Sequence, residues 1–300
     1  MKIFLTGATG VVGTRALPAL VAAGHDVTAV ARSEPKAELV RSLGGEPVTV
    51  DLFDREAVLD AVVGFEAVVH LATHIPDLTR SAGARAWAEN DRLRTEAASH
   101  LVDAAIATGA GRYVQESICF PYLDGGDRWL DEDAPTDHQG GPFRGAAAAE
   151  ASADRFGRHG GTAVVLRFAA FYAPDASHTR TFNRLLRRRI NPFIGPPDAY
   201  VSSIHAEDAG AAVAAAITAP AGTYNIGDDE PLTRRDAGAA AAEALGRKPP
   251  FALPGVLRAL SPAAAKPLMA SQRIANTRFK EATGWAPAHR SLRGGWPVTA

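Results

Sequence analysis

Short apolar runs alternate with longer amphipathic stretches over the first half of the chain. Lys2–Thr6, Asp26–Ala31, Glu46–Val50, Ala67–Leu71, Arg112–Gln115 and Thr162–Phe168 have the length and apolar content of buried strands. Between them, Val11–Ala23, Lys36–Leu43, Arg55–Ala61, Ala84–Ala107 and Pro142–Arg158 repeat their apolar residues at helical spacing. Strand and helix in strict succession predict an α/β fold, a doubly wound parallel (Rossmann) sheet covered on both faces. Ligands of such a sheet sit outside the carboxyl ends of its strands.

Beyond Phe168 the rhythm loosens and proline and glycine become denser, as in 191–197 and 248–250. Val201–Ile204 and Thr223–Ile226 read as short strands there, and Ala206–Thr218 and Arg234–Leu245 as helices. The expected organisation is a dinucleotide-binding domain over 1–170. Residues 171–300 would be mainly a smaller C-terminal substrate lobe, partly interleaved with the sheet.

Composition narrows the classes. Three hundred residues with 46% hydrophobic and 22% charged content describe an ordinary globular chain. A formal net charge of -1 gives no footprint for nucleic acid or a membrane surface. No apolar run reaches the roughly 18 residues of a membrane span. Met1-Lys-Ile-Phe-Leu runs straight into a glycine motif, leaving no room for a signal peptide, and Cys119 has no partner for a disulfide. A cytoplasmic location is expected; the oligomeric state is not legible.

Thr6-Gly7-Ala8-Thr9-Gly10-Val11-Val12-Gly13 joins the first strand to the first helix. Gly7 permits a tight turn, Gly10 lets a pyrophosphate approach the backbone, and Gly13 lets the helix pack on the strand. Helix amides and dipole there favour phosphate, with Thr6, Thr9, Val11 and Val12 around it. Arg32-Ser33 closes the second strand, where selectivity for NAD usually calls for an acidic residue; a basic one suits a 2′-phosphate. NADPH is therefore the expected cofactor, with NADH as the alternative. Asp51-Leu52 is placed to receive the adenine, Leu71-Ala72-Thr73 to run under its ribose, and Phe168 to border the site from the sixth strand.

These motifs, with His70-Leu-Ala72, the helix containing Asn90, 129–135 and Thr223-Tyr-Asn-Ile-Gly227, resemble the extended branch of the short-chain dehydrogenase/reductase superfamily. The resemblance implies a nicotinamide cofactor and hydride transfer at a carbon–oxygen bond. It also implies that Ser117 hydrogen-bonds the reacting oxygen. His74, Tyr122, Tyr172 and His205 fall on segments that line the substrate side, each equally readable as a packed or surface residue.

The departure is at Phe143-Arg-Gly-Ala-Ala147, where the superfamily carries Tyr-x-x-x-Lys, its proton donor and the activator of that donor. None of the five tyrosines is followed by lysine four residues on, and no lysine occurs between Lys36 and Lys248. Losing a positioned acid forfeits about 10²–10⁴ in rate, which a substrate with its own proton can restore. The pattern resembles the atypical ketoreductases that tailor aromatic polyketides. It implies a reductase for an angucyclinone-like aromatic ketone, with a neighbouring phenol as proton source and Phe143 as a stacking surface. Two other readings stay open: a silent NADP-binding sensor, and an epimerase or dehydratase of nucleotide sugars. Asp131-Glu132-Asp133 is expected in water, and with no histidine at ligand spacing no metal site is indicated.

Overall fold

The computed structural model describes residues 1–75, 84–137, 143–251 and 269–298. Seven parallel strands form its central sheet: β1 (Lys2–Thr6), β2 (Asp26–Val30), β3 (Glu46–Val48), β4 (Ala67–His70), β5 (Arg112–Ile118), β7 (Thr162–Phe168) and β11 (Gly222–Ile226). Their spatial order is β11-β7-β5-β4-β1-β2-β3, so the sheet winds outward in both directions from β1 and β4. The fold is Rossmann-like, as the alternation predicts.

Each face of the sheet carries its own core, because side chains alternate along a strand. On one face Ile3, Leu5, Val69, Val114 and Leu166 pack against α1 (Gly13–Ala22), α2 (Glu34–Ser42) and α8 (Ala206–Ala216). On the other, Phe4, Val68, Tyr113 and Val165 meet α3 (Arg55–Val62), α5 (Ala98–Thr108) and α6 (Arg144–Arg158). The first core also takes in Phe279, from α10 (Thr277–Thr283), and Trp285, so the C-terminal part of the chain completes the core on that face of the sheet.

Three departures from the sequence reading have physical causes. The helix expected over Ala84–Ala107 is α4 (Ala84–Arg92), one π turn (Leu93–Ala97) and α5, because one extra residue enters the ladder. The strand expected over Val201–Ile204 is two: β9 (Tyr200–Val201) pairs with β12 (Leu232–Thr233), and β10 (Ser203–His205) with β8 (Ala170–Tyr172). Helix α1 opens at Gly13 rather than Val11, since the glycine turn occupies the residues before it. Pro142, the expected start of α6, lies outside the described residues, and Phe143 is the N-cap.

The smaller elements, β6 (Trp129–Leu130), α7 (Ser177–Arg187), α9 (Arg234–Ala244), β13 (Arg273–Ile274) and α11 (Leu292–Gly295), gather beyond the sheet. Tyr172, Leu186, Leu232, Leu292, Trp296 and the alanines of α9 form a separate core there.

Candidate functional site

The glycine turn has the shape that a dinucleotide needs. Gly7 has φ +79°, and a Cβ there would lie 2.5 Å from the Leu71 carbonyl. A Cβ on Gly13 would lie 2.0 Å from the Gly7 oxygen, so β1, β4 and α1 meet at two positions only glycine can fill. Gly10 is exposed, and a Cβ there would meet only the Gly7 oxygen at 3.3 Å, which leaves its outer side open. Exposed backbone at the mouth of a ten-residue helix is a fit for pyrophosphate. Thr6 and Phe168 are fully buried. The Thr6 hydroxyl is 2.6 Å from His70 Nδ1, whose other nitrogen meets the Leu93 carbonyl at 3.1 Å.

Around the turn, Arg32, Ser33 and Asp51 are exposed, Thr9, Val11, Ala72 and Thr73 are half-buried, and Val12, Leu52 and Leu71 are buried. Arg32 lies 3.2 Å from Glu89, with its side chain 61% exposed, so a competing anion can still reach it. Asp51 Oδ1 accepts the Phe53 amide, which fixes the carboxylate at the strand end. His74 is exposed, 3.7 Å from Glu89, and its amide donates to Asn90.

Ser117 is fully buried near the end of β5, and its hydroxyl donates to Glu150 of α6 at 2.6 Å. Arg167, its neighbour on β7, forks onto the same carboxylate at 2.9 and 2.7 Å and donates to the Tyr122 hydroxyl. Tyr122 in turn donates to Asn225, whose amide is held by Glu132. Glu132, expected in water with its acidic neighbours, is instead buried: the Asn225 amide and Arg278 compensate its charge. Burial raises the Tyr122 and Glu132 pKa values, so both favour their protonated forms more than usual.

The Phe143–Ala147 turn lies next to a second buried pair. Arg94, on the π turn, donates one nitrogen to both Glu116 oxygens at 2.8 and 2.7 Å. A Cβ on Gly145 would approach the Arg94 Cβ and Asp91 Oδ1 to 3.2 Å, so α6 presses directly on this pair. Arg94 Nη1 and Asp91 Oδ1 are buried with no hydrogen-bond partner among the described residues, and burial raises the Asp91 pKa. Phe143 is itself buried, at 3% exposure, so its ring packs into the protein where a stacking surface was expected. No lysine or tyrosine stands at 143 or 147, and charges nearby include Asp91, Arg94, Glu116, Arg144 and Glu150.

Tyr172 and His205 form a separate group, with ring centroids 5.1 Å apart and both residues buried. His205 stacks on His289 at 3.8 Å, and Tyr172 on Trp296 at 5.8 Å. Sequence reading missed Glu150, Arg167, Arg94, Glu116 and His289. Glu150 follows Phe143 by seven residues, two helical turns along the same face, and that spacing was the available signal. Arg94 interrupts an apolar stripe with Ala97 and Leu101, which marks a buried charge.

Residues 3–227 match the NAD dependent epimerase/dehydratase family. A 3-diazoavenalumate denitrifying reductase of a Streptomyces species is 37% identical over 306 residues, spanning 98% of this chain and 99% of that protein. A 4-hydroxy-2-methyl-3-oxo-4-farnesyl-3,4-dihydroquinoline-1-oxide ketoreductase of Stigmatella aurantiaca is 39% identical over 72 residues, 24% of this chain and 22% of that protein. Among solved structures, a Stenotrophomonas maltophila UDP-glucose-4-epimerase with bound NAD superposes with a TM-score of 0.79 at 16% identity, covering 98% of this chain and 95% of that one. The human epimerase family protein SDR39U1 with NADPH gives 0.77 at 21% identity, covering 99% and 98%.

Proposed function

Because the chain belongs to the NAD dependent epimerase/dehydratase family, we propose that it is a nicotinamide-dependent reductase whose hydride acceptor needs no proton from the protein. One observation carries this reading: the acid and its activator are replaced by Phe143 and Ala147, and the remaining Ser117 gives its hydrogen to Glu150. The glycine turn would hold the pyrophosphate, and Arg32 with Ser33 would favour a 2′-phosphate, so NADPH is preferred over NADH. When bound, the cofactor supplies a hydride equivalent. The chain's own residues then bind, orient and exclude water.

The acceptor we favour is an aromatic diazo compound, on the strength of the full-length Streptomyces relative and its name. Replacing dinitrogen by hydride on an arenediazonium carbon forms one C–H bond with the hydride pair. The C–N pair leaves with N₂, and no proton enters the balance. Such chemistry removes the need for a tyrosine, and it makes a buried Ser117 no handicap.

A second reading is reduction of an aromatic ketone, angucyclinone-like, whose neighbouring phenol protonates the new alkoxide. The short match to a ketoreductase favours it. In both readings the substrate is a small aromatic molecule.

The test follows NADPH absorbance with phenolic diazo arenes, hydroxylated polycyclic ketones and their methyl ethers. The expected outcome is one N₂ per NADPH consumed, with deuterium from labelled NADPH on the ring carbon that lost nitrogen. Turnover confined to ketones with an adjacent phenol would select the second reading. NADPH bound but oxidised by neither class would overturn both.

A further inference from the structure

We propose that His205, Glu207 and His289 form a site for a divalent cation of the zinc class at the start of α8. Each offers one ligand atom, and these atoms lie within 4.8 Å of one another. Two imidazoles and a carboxylate suit Zn²⁺, with a position left for water. Ligands of a tetrahedral Zn²⁺, each about 2.0–2.1 Å from the ion, stand roughly 3.3 Å apart. Closing from 4.8 Å asks for movement of the 65% exposed Glu207 side chain and a turn of the stacked imidazoles.

The surroundings prepare one ligand in advance. Asp208 is buried and accepts the amides of Ala288 and His289 at 2.8 and 3.0 Å. It also lies 3.0 Å from His289 Nδ1. A carboxylate on Nδ1 puts the proton there and leaves the Nε2 lone pair to bind metal, the arrangement that orients and strengthens metal-binding histidines. His205 stacks on His289 at 3.8 Å with the ring planes 28° apart, so its ring must turn out of that stack for both in-plane lone pairs to converge on one ion; Tyr172 edge-on and a long 3.3 Å contact from the Glu207 amide to Nδ1 are its other neighbours. That nitrogen is 3.9 Å from the Glu207 carboxylate, so an ion between them would replace the weak contact. The nearby cation Arg15 is neutralised by its fork onto Asp175, 2.7 Å on both arms.

Sequence spacing does not show this group, because His289 lies on a segment 81 residues beyond the Asp208 that anchors it. An ion here would fasten the start of α8 to the segment leading into α11, and so to the Tyr172–Trp296 stack. The full chain, stripped with chelator, is titrated with Co²⁺ and then Zn²⁺. The expected result is one equivalent of Co²⁺ with the intense visible bands of a low-coordinate ion, displaced by Zn²⁺. Glu207→Gln, at an exposed position, and His289→Ala should each weaken binding at least about tenfold, with His289→Ala first shown folded by circular dichroism. No visible bands, or an affinity unchanged in Glu207→Gln, would overturn the proposal.

Discussion

At the scale of single residues, the fold spends its buried polar groups on a few junctions. His70 ties the glycine turn, through Thr6, to the π turn, through Leu93. That geometry needs a neutral ring, with Nε2 donating to the carbonyl and Nδ1 accepting from the hydroxyl. Burial lowers its pKa from 6.5 to about 4, helped by the charge of Arg94 and opposed by the Leu93 bond. The unfolded chain therefore takes up a proton near pH 6.5, while the native state resists until about pH 4. Stability from this group is full above pH 6.5 and is lost as the pH falls toward 4, by up to roughly 3 kcal/mol. Urea midpoints of native protein and His70→Gln, compared across that window, should diverge in slope. Parallel slopes would show that His70 does not titrate this way. Nothing in the sequence around His70 announces this role, because its partners come from β1 and the π turn.

At the scale of elements, the glycine turn depends on how α1 sits against α8. A Cβ on Gly210 of α8 would come within 2.5 Å of Arg15 Cβ and 2.7 Å of the Arg15 carbonyl carbon on α1. The backbones are already in contact there, so Gly210→Ala must push the helices apart. Overpacking of this kind costs about 1–3 kcal/mol, and if α1 holds the pyrophosphate as proposed, NADPH binding should weaken too. Thermal unfolding and a fluorescence titration with NADPH check both effects; an unchanged affinity would detach the helix contact from the site. The sheet was legible because each central strand is a near-continuous apolar run. The pairs β8–β10, β9–β12 and β6–β13 were not, since two or three residues carry no readable period. The π turn was hidden for a related reason, as one inserted residue leaves the apolar spacing on either side intact.

At the scale of the whole molecule, the C-terminal chain closes what the N-terminal half begins. Gln272 donates to the carbonyls of Phe120 and Tyr122, and Ser271 accepts from the Tyr200 amide. Asn276 donates to the Gly227 carbonyl, and Trp285 to that of Asp208. These partners are far apart in sequence, up to 152 residues, and none forms a motif, so spacing along the chain does not reveal them. A C-terminal region that also finishes the first core ties the two halves of the chain into one unit, and their unfolding should be a single event.

Cys119 supplies a way to watch that event. It is the lone cysteine, 2% exposed beneath Arg167, and burial raises its thiol pKa well above the usual range. The reactive thiolate is thus denied to the native state twice over, by access and by ionisation. A thiol reagent should ignore the folded enzyme and label it only when it opens, at a rate rising with urea as steeply as the equilibrium unfolding curve. Fast labelling of native protein would mean that the middle of the sheet opens without the rest. Otherwise one sulfur atom serves as a clock for the whole chain, with no dye or engineered probe required.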